Sequence, residues 1–177
     1  MATSSKSKVS EEKFLCVILS DAGGKIVGRT RLHKLTCLLE LTGLGNGFDF
    51  EYHHYGPYSE RLAAAAHMAT TLNLVEEEEH QATWGGTYSV YKLLGVSPAR
   101  ANPRRVALAK VAVDADPIEL ELATTAAFLA KHGVSNPWEE TEKRKPLKAS
   151  DGRLEKAKRL YLELASVKVP KPLPQIV

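Results

Sequence analysis

Apolar residues recur along this chain in blocks whose spacing shifts from helical to strand-like and back. Ser10 followed by Glu11 and Glu12 has the form of a helix start, and Phe14, Leu15, Val17, Ile18 and Leu19 supply the first buried face. Asp21 to Gly24 ends that helix, and Ile26-Val27 forms a short extended segment. Thr30 is placed to cap a second helix, whose stripe is Leu32, Leu35, Leu38 and Leu39. After glycines at 43, 45 and 47, the run Phe48 to His54 alternates apolar and polar, as a half-buried strand does. Its parity turns Tyr52 and His54 inward and His53 outward. Gly56-Pro57 then breaks the strand, and Ser59 caps a third helix with Leu62, Ala66, Ala69 and Leu72 along one side. Leu72 to Glu79 and Tyr88 to Leu94 bracket Gly85-Gly86 as a β-hairpin.

Helix, short strand, helix, strand, helix, hairpin is the element order of a winged helix, with the third helix in the recognition position and residues 80–87 as the wing tip. Further on, Ser97 to Pro103 reads as a connector, Pro117 to Lys131 as a helix closed by Gly133, Asn136-Pro137-Trp138 as a turn, and Asp151 to Ala165 as the last helix. The expected fold class is α+β, mainly helical. A disordered leader covers 1–9 and a winged-helix-like part 10–98. A C-terminal helical part, 99–165, packs on it as one compact unit, and 166–177 forms an extended, Pro-rich tail with a frayed end.

Composition refines this. With 177 residues and 44% hydrophobic side chains, the chain can bury a sizeable core. The net charge of +3 hides an asymmetry: residues 1–98 carry 9 Lys/Arg against 11 Asp/Glu, and residues 99–177 carry 15 against 10. The C-terminal half is thus the better candidate for an acidic partner. No apolar run reaches the roughly 18 residues of a membrane span, and the first ten residues lack the apolar core of a signal peptide, so a cytoplasmic protein with no membrane partner is expected. Cys16 and Cys37 sit in apolar helical patterns and read as reduced, buried thiols.

The residues from Glu51 to Glu60, with two histidines and three tyrosines, raise the question of an active site. Zinc needs three or four ligands around one point, whereas adjacent strand residues such as His53 and His54 face opposite ways. No nucleophile, base and orienting acid stand out, and Gly43-x-Gly45-x-Gly47 lacks the strand and helix that a phosphate cradle requires. Neither catalysis nor a cofactor or metal is expected.

A resemblance enters through Gly28-Arg29-Thr30-x-Leu32-x-Lys34-Leu35, then Phe48-x-Phe50-x-Tyr52, then Tyr55-Gly56-Pro57-Tyr58-Ser59-x-x-Leu62, followed by Leu72 to Val75 opening a hairpin. This pattern resembles the YwgA-like family, a relative of the Panacea domains that include the SocA-type antitoxins. The similarity runs over roughly 10–165, including Ala123-Thr124-Thr125-x-x-Phe128-Leu129 and Trp138 followed by Lys145-Pro146. It makes Thr30, Leu35, Tyr52, His54, Gly56, Pro57 and Ser59 the structural signature. It implies a noncatalytic module that binds and neutralises a partner protein, a toxin encoded nearby, or passes it to a protease.

A winged-helix regulator that binds DNA is the alternative. Such proteins present Lys and Arg on the third helix and the wing, because phosphate neutralisation supplies most of the affinity. Here the third helix carries Arg61 alone and the wing arm is Glu76 to Glu79. The partner surface expected from the sequence therefore gathers Tyr55, Tyr58, Arg61, Arg104, Arg105, Trp138, Arg144 and Lys145, and a homodimer stays open.

Overall fold

Side-chain caps fix where three of the helices begin. Ser59 Oγ accepts the Leu62 amide at 3.2 Å, Asn102 Oδ1 accepts from Arg104 and Arg105, and Asp116 Oδ1 accepts from Ile118 and Glu119. Two of these caps are followed at once by proline, Pro103 and Pro117, whose fixed φ suits a first helical turn.

The computed structural model describes residues 8–177, so most of the expected leader lies outside the described residues. The element order is α1 (Glu11–Asp21), β1 (Lys25–Val27), α2 (Arg29–Leu41), β2 (Glu51–His53), β3 (Gly56–Tyr58), α3 (Glu60–Thr71), β4 (Val75–Gln81) and β5 (Thr87–Leu93). Helices α4 (Pro103–Asp114), α5 (Pro117–Lys131), α6 (Pro137–Arg144), α7 (Pro146–Ala149) and α8 (Arg153–Ser166) follow. The fold is α+β and mainly helical, with an N-terminal winged-helix arrangement. β1 pairs with β5 and β5 with β4, giving an antiparallel sheet of order β1-β5-β4, and α3 packs on α1 and leads into the wing.

One apolar cluster joins the two parts. Leu15, Ile18, Leu35 and Leu62 from the first part share it with Leu108, Leu122 and Tyr161 from the second. Helix α5 is buried on every side from Leu120 to Leu129, the pattern of a central helix. It packs against α2, α6, α8 and the β2–β3 hairpin.

Several local expectations are corrected. Helix α2 starts at Arg29 with Gly28 as its N-cap at φ 98°, and no side chain caps it, so Thr30 lies inside the helix. The strand expected from Phe48 to His54 is paired only over Glu51–His53. Gly56-Pro57 does not terminate it: these residues open the return strand, with Tyr52 opposite Pro57 and His53 opposite Gly56. His54 is therefore an exposed turn residue and not a core-side one. Pro103, the last residue of the expected connector, opens a helix with Arg104 and Arg105 in its first turn, and Trp138 sits in α6 where a turn was expected. The tail is extended but held down: Leu173 is buried, the Lys171 amide donates to Thr42 O, and Tyr161 donates to Pro174 O.

Candidate functional site

The lysine-rich stretches of the sequence converge beneath the β2–β3 hairpin. Lys145 Nζ donates to Glu121 Oε1 at 2.6 Å and to His54 O at 3.1 Å, while Lys148 Nζ reaches Glu121 Oε2 at 2.7 Å. From α2, Lys34 is buried and donates to Pro57 O at 2.7 Å. Burial drives its ammonium down to about 8, against the pull of Glu121. The hairpin's aromatic rings close the assembly, with the Arg144 guanidinium 4.6 Å from the Tyr52 ring and Lys148 Nζ 4.7 Å from that of Tyr55. Lys145 and Lys148 thus fasten the hairpin to the buried carboxylate of α5, and Lys34 fastens it to α2.

Next to it, Tyr58 stacks on His33 with ring centroids 4.3 Å apart, and on His53 at 4.9 Å. His33 is 2% exposed and its Nδ1 accepts the Ser59 amide, so the neutral ring carries its proton on Nε2. Burial, then the neighbouring Lys34 and Arg29 charges, push it down to about 3. Because the folded value lies below the unfolded 6.5, its contribution to stability is intact above pH 6.5 and declines as pH falls toward 3. At about pH 5 the predicted loss is ~2 kcal/mol. Urea midpoints measured across that range should fall with pH, and His33→Gln should flatten the slope.

A groove of about 180 Å³ opens between α2, α3 and the wing, lined by Arg29, His33, Tyr58, Ala63, His67 and Tyr91 among others. Arg29 donates to Tyr91 Oη at 3.3 Å and to Glu77 Oε1 at 3.2 Å. Burial works to raise Glu77, but hydrogen bonds from Ser89, Arg29 and Tyr91 outweigh it and hold the carboxylate below its ordinary range. Beside the groove, whose rim it shares at His67, the solvent stripe of α3 reads Glu60, Arg61, Ala64, His67, Met68 and Thr71, with Leu72 following. Met68 and Leu72 are 48% and 52% exposed, and Trp84 at the wing tip is 76% exposed. Among the described residues no cluster of three or more His, Cys, Asp or Glu could hold a metal ion, and no helix is long and apolar enough to cross a membrane.

The residues expected to form a partner surface fall into two groups. Tyr55, Tyr58 and Arg144 surround the hairpin and reach solvent, and Arg104 is exposed in the first turn of α4. Arg61 is exposed, but its guanidinium is held by Glu11, Asp49 and Gly47 O. Arg105, Trp138 and Lys145 belong to the interior. Arg105 pairs with buried Asp21 at 2.5 Å, Trp138 lies edge-on to Tyr161, and Lys145 is enclosed with Glu121. Arg31 also works inside, donating to the carbonyls of Ala112, Val113 and Ala115 at the end of α4. The excess positive charge of the C-terminal half is therefore partly consumed in fastening elements together. Sequence reasoning missed Met68 and Trp84, and it placed Leu72 on the same side of α3 as Leu62, Ala66 and Ala69, whereas Leu72 is the C-cap and is 52% exposed because the helix ends at Thr71. Compared with known protein families and with curated protein sequences, the chain has no match.

Proposed function

We propose that this protein is a non-enzymatic interaction module that binds a partner protein through the outer face of α3 and the wing. On this reading it acts in the manner of the Panacea and SocA-type antitoxins that its Gly-Pro-Tyr-Ser hairpin resembles, neutralising the partner or delivering it to a protease. The carrying observation is the chemistry of the α3 stripe. In a DNA-reading winged helix this stripe supplies cations to phosphates, and here its one arginine is already occupied by Glu11 and Asp49. Apolar Met68 and Leu72 stand exposed beside it, and the wing arm carries Glu76 to Glu79, of which Glu77 and Glu78 are paired with Arg29 and Lys92 while Glu76 and Glu79 pair with no described residue. The unpaired carboxylates repel phosphate, and exposed methionine and tryptophan suit a protein surface.

Coexpression with the product of the adjacent gene tests the reading. Copurification and relief of that product's toxicity are expected, together with no shift of duplex DNA even at about 50 mM salt. DNA binding that weakens steeply between about 50 and 200 mM salt would overturn it in favour of a regulator.

A further inference from the structure

The groove between α2, α3 and the wing holds a polar group that the fold leaves unused. His33 is 2% exposed, and its Nδ1 is taken by the Ser59 amide at 3.2 Å. The proton on Nε2 has no hydrogen-bond partner among the described residues, although the ring lines the groove. Stacking on Tyr58 at 4.3 Å keeps the ring from turning away. A buried donor without a partner costs free energy, and an acceptor that enters the groove recovers it.

The charges around this donor cancel. Arg29 and Glu77 form an ion pair at 3.2 Å, and burial keeps His33 neutral near pH 7. A carboxylate entering here would face Glu77, and an ammonium would face Arg29. A neutral group meets neither penalty. Glu77 can still serve it, because a carboxylate has about four acceptor sites and Arg29, Ser89 and Tyr91 account for three. The space of about 180 Å³ is smaller than the ~300 Å³ at which pockets begin to enclose a drug-sized ligand. It suits a single side chain, with half-buried Tyr58 and Ala63 beside its methylenes.

We propose that this groove takes a carboxamide, the side chain of a glutamine or asparagine on the partner protein. The amide oxygen accepts from His33 Nε2, and the amide nitrogen donates to Glu77. The partner as its source rests on the protein-binding reading of the adjoining α3 face, which shares His67 with the groove. The preference for an amide rests on the groove alone.

The test is a titration of the full chain with propionamide, the glutamine side chain as a free molecule, and with its charged counterparts propionate and propylammonium. The readout is the ring nitrogen and proton shifts of His33 and the amide shifts of Ser59 and Ala63. Propionamide should saturate with a dissociation constant of about 10 mM, within reach of so small a ligand, and both ions should bind at least about fivefold more weakly. Glu77→Gln should invert the order in favour of propionate, since Arg29 then faces the groove without its carboxylate. Ala63→Leu should fill the groove and abolish the shifts, while the melting temperature holds because Ala63 is half-buried at the surface. Shifts that survive in Ala63→Leu, propionate bound as well as propionamide by the unaltered chain, or no saturable shift up to about 300 mM would each overturn the proposal. Coexpression with the adjacent gene's product separates the two readings. Copurification that Ala63→Leu leaves undiminished would remove the amide from the groove and keep the partner, whereas propionamide binding without copurification would keep the groove's preference and remove the partner as its source.

Discussion

Glu121→Gln is expected to lower the unfolding free energy by about 3 to 5 kcal/mol, because it leaves Lys145 and Lys148 facing a neutral amide inside the protein. Glu121 is 3% exposed and Lys145 6%, so water cannot replace the lost charge at the Lys145 ammonium. Lys34 loses the one carboxylate whose charge favours its protonated form. The loss should be read by urea unfolding near neutral pH. Adding Lys145→Gln to the first change should recover part of it, since one uncompensated cation is then removed. A cost below about 1 kcal/mol would show that the cluster contributes no more than an exposed ion pair.

The second large effect concerns Gly56. Its φ of 81° is a conformation that an alanine adopts only with strain, and a Cβ there would lie 2.7 Å from Thr125 Oγ1 and 3.6 Å from Lys34 Nζ. Gly56→Ala should therefore cost about 2 to 4 kcal/mol, the strain plus the displacement of α5 from the hairpin. Gly133 supplies the internal reference. It has φ 80° but nothing within 4 Å of an added Cβ, so Gly133→Ala should show the strain alone, about 1 kcal/mol. If the two variants unfold at the same denaturant concentration, the close contact with Thr125 does not constrain the hairpin.

These two residues also show how far the sequence was readable. The winged-helix order was legible because its helices carry apolar residues at helical spacing, Leu32-Leu35-Leu39 in α2 and Leu62-Ala66-Ala69 in α3, and because Ser59 caps α3 as serine does, although α2 proves buried all round from Leu32 to Leu39. Pro117 to Lys131 was legible to the residue for the same reason at its start, where Asp116 and the proline coincide. Helix α4 was missed although Asn102-Pro103 has the same form. Its buried residues are only Leu108, Ala109 and Ala112, and so small an apolar stripe scarcely differs from a loop. Helix α6 has two charged first-turn residues and buries only Pro137, Trp138 and Thr141, so its pattern is equally faint.

The hairpin at Glu51 to Tyr58 misled for a different reason. Period-2 alternation sets facing only while a strand continues, and here the chain turns at His54-Tyr55, one residue before the parity argument places His54 inside. The role of the basic residues was not legible either. Lys145 and Lys148 are drawn inward by Glu121, which lies 24 and 27 residues earlier in the sequence, and Arg105 by Asp21, 84 residues earlier. Charge counted along the chain records neither pairing. The acidic wing, by contrast, was read from sequence alone as the wrong sign for phosphate, and the exposed Met68 and Leu72 extend that argument to the helix beside it.

The central claim is that the α3 and wing face holds a partner protein. The most direct measurement is the affinity of the complex with the adjacent gene's product for the unaltered chain and for Met68→Asp combined with Leu72→Asp. Both side chains are about half exposed, so the folded state should tolerate the change and its melting temperature should hold. A weakening of about thirtyfold or more is predicted, the size of a lost interface anchor. An unchanged affinity in a folded double variant would contradict the assignment of this face.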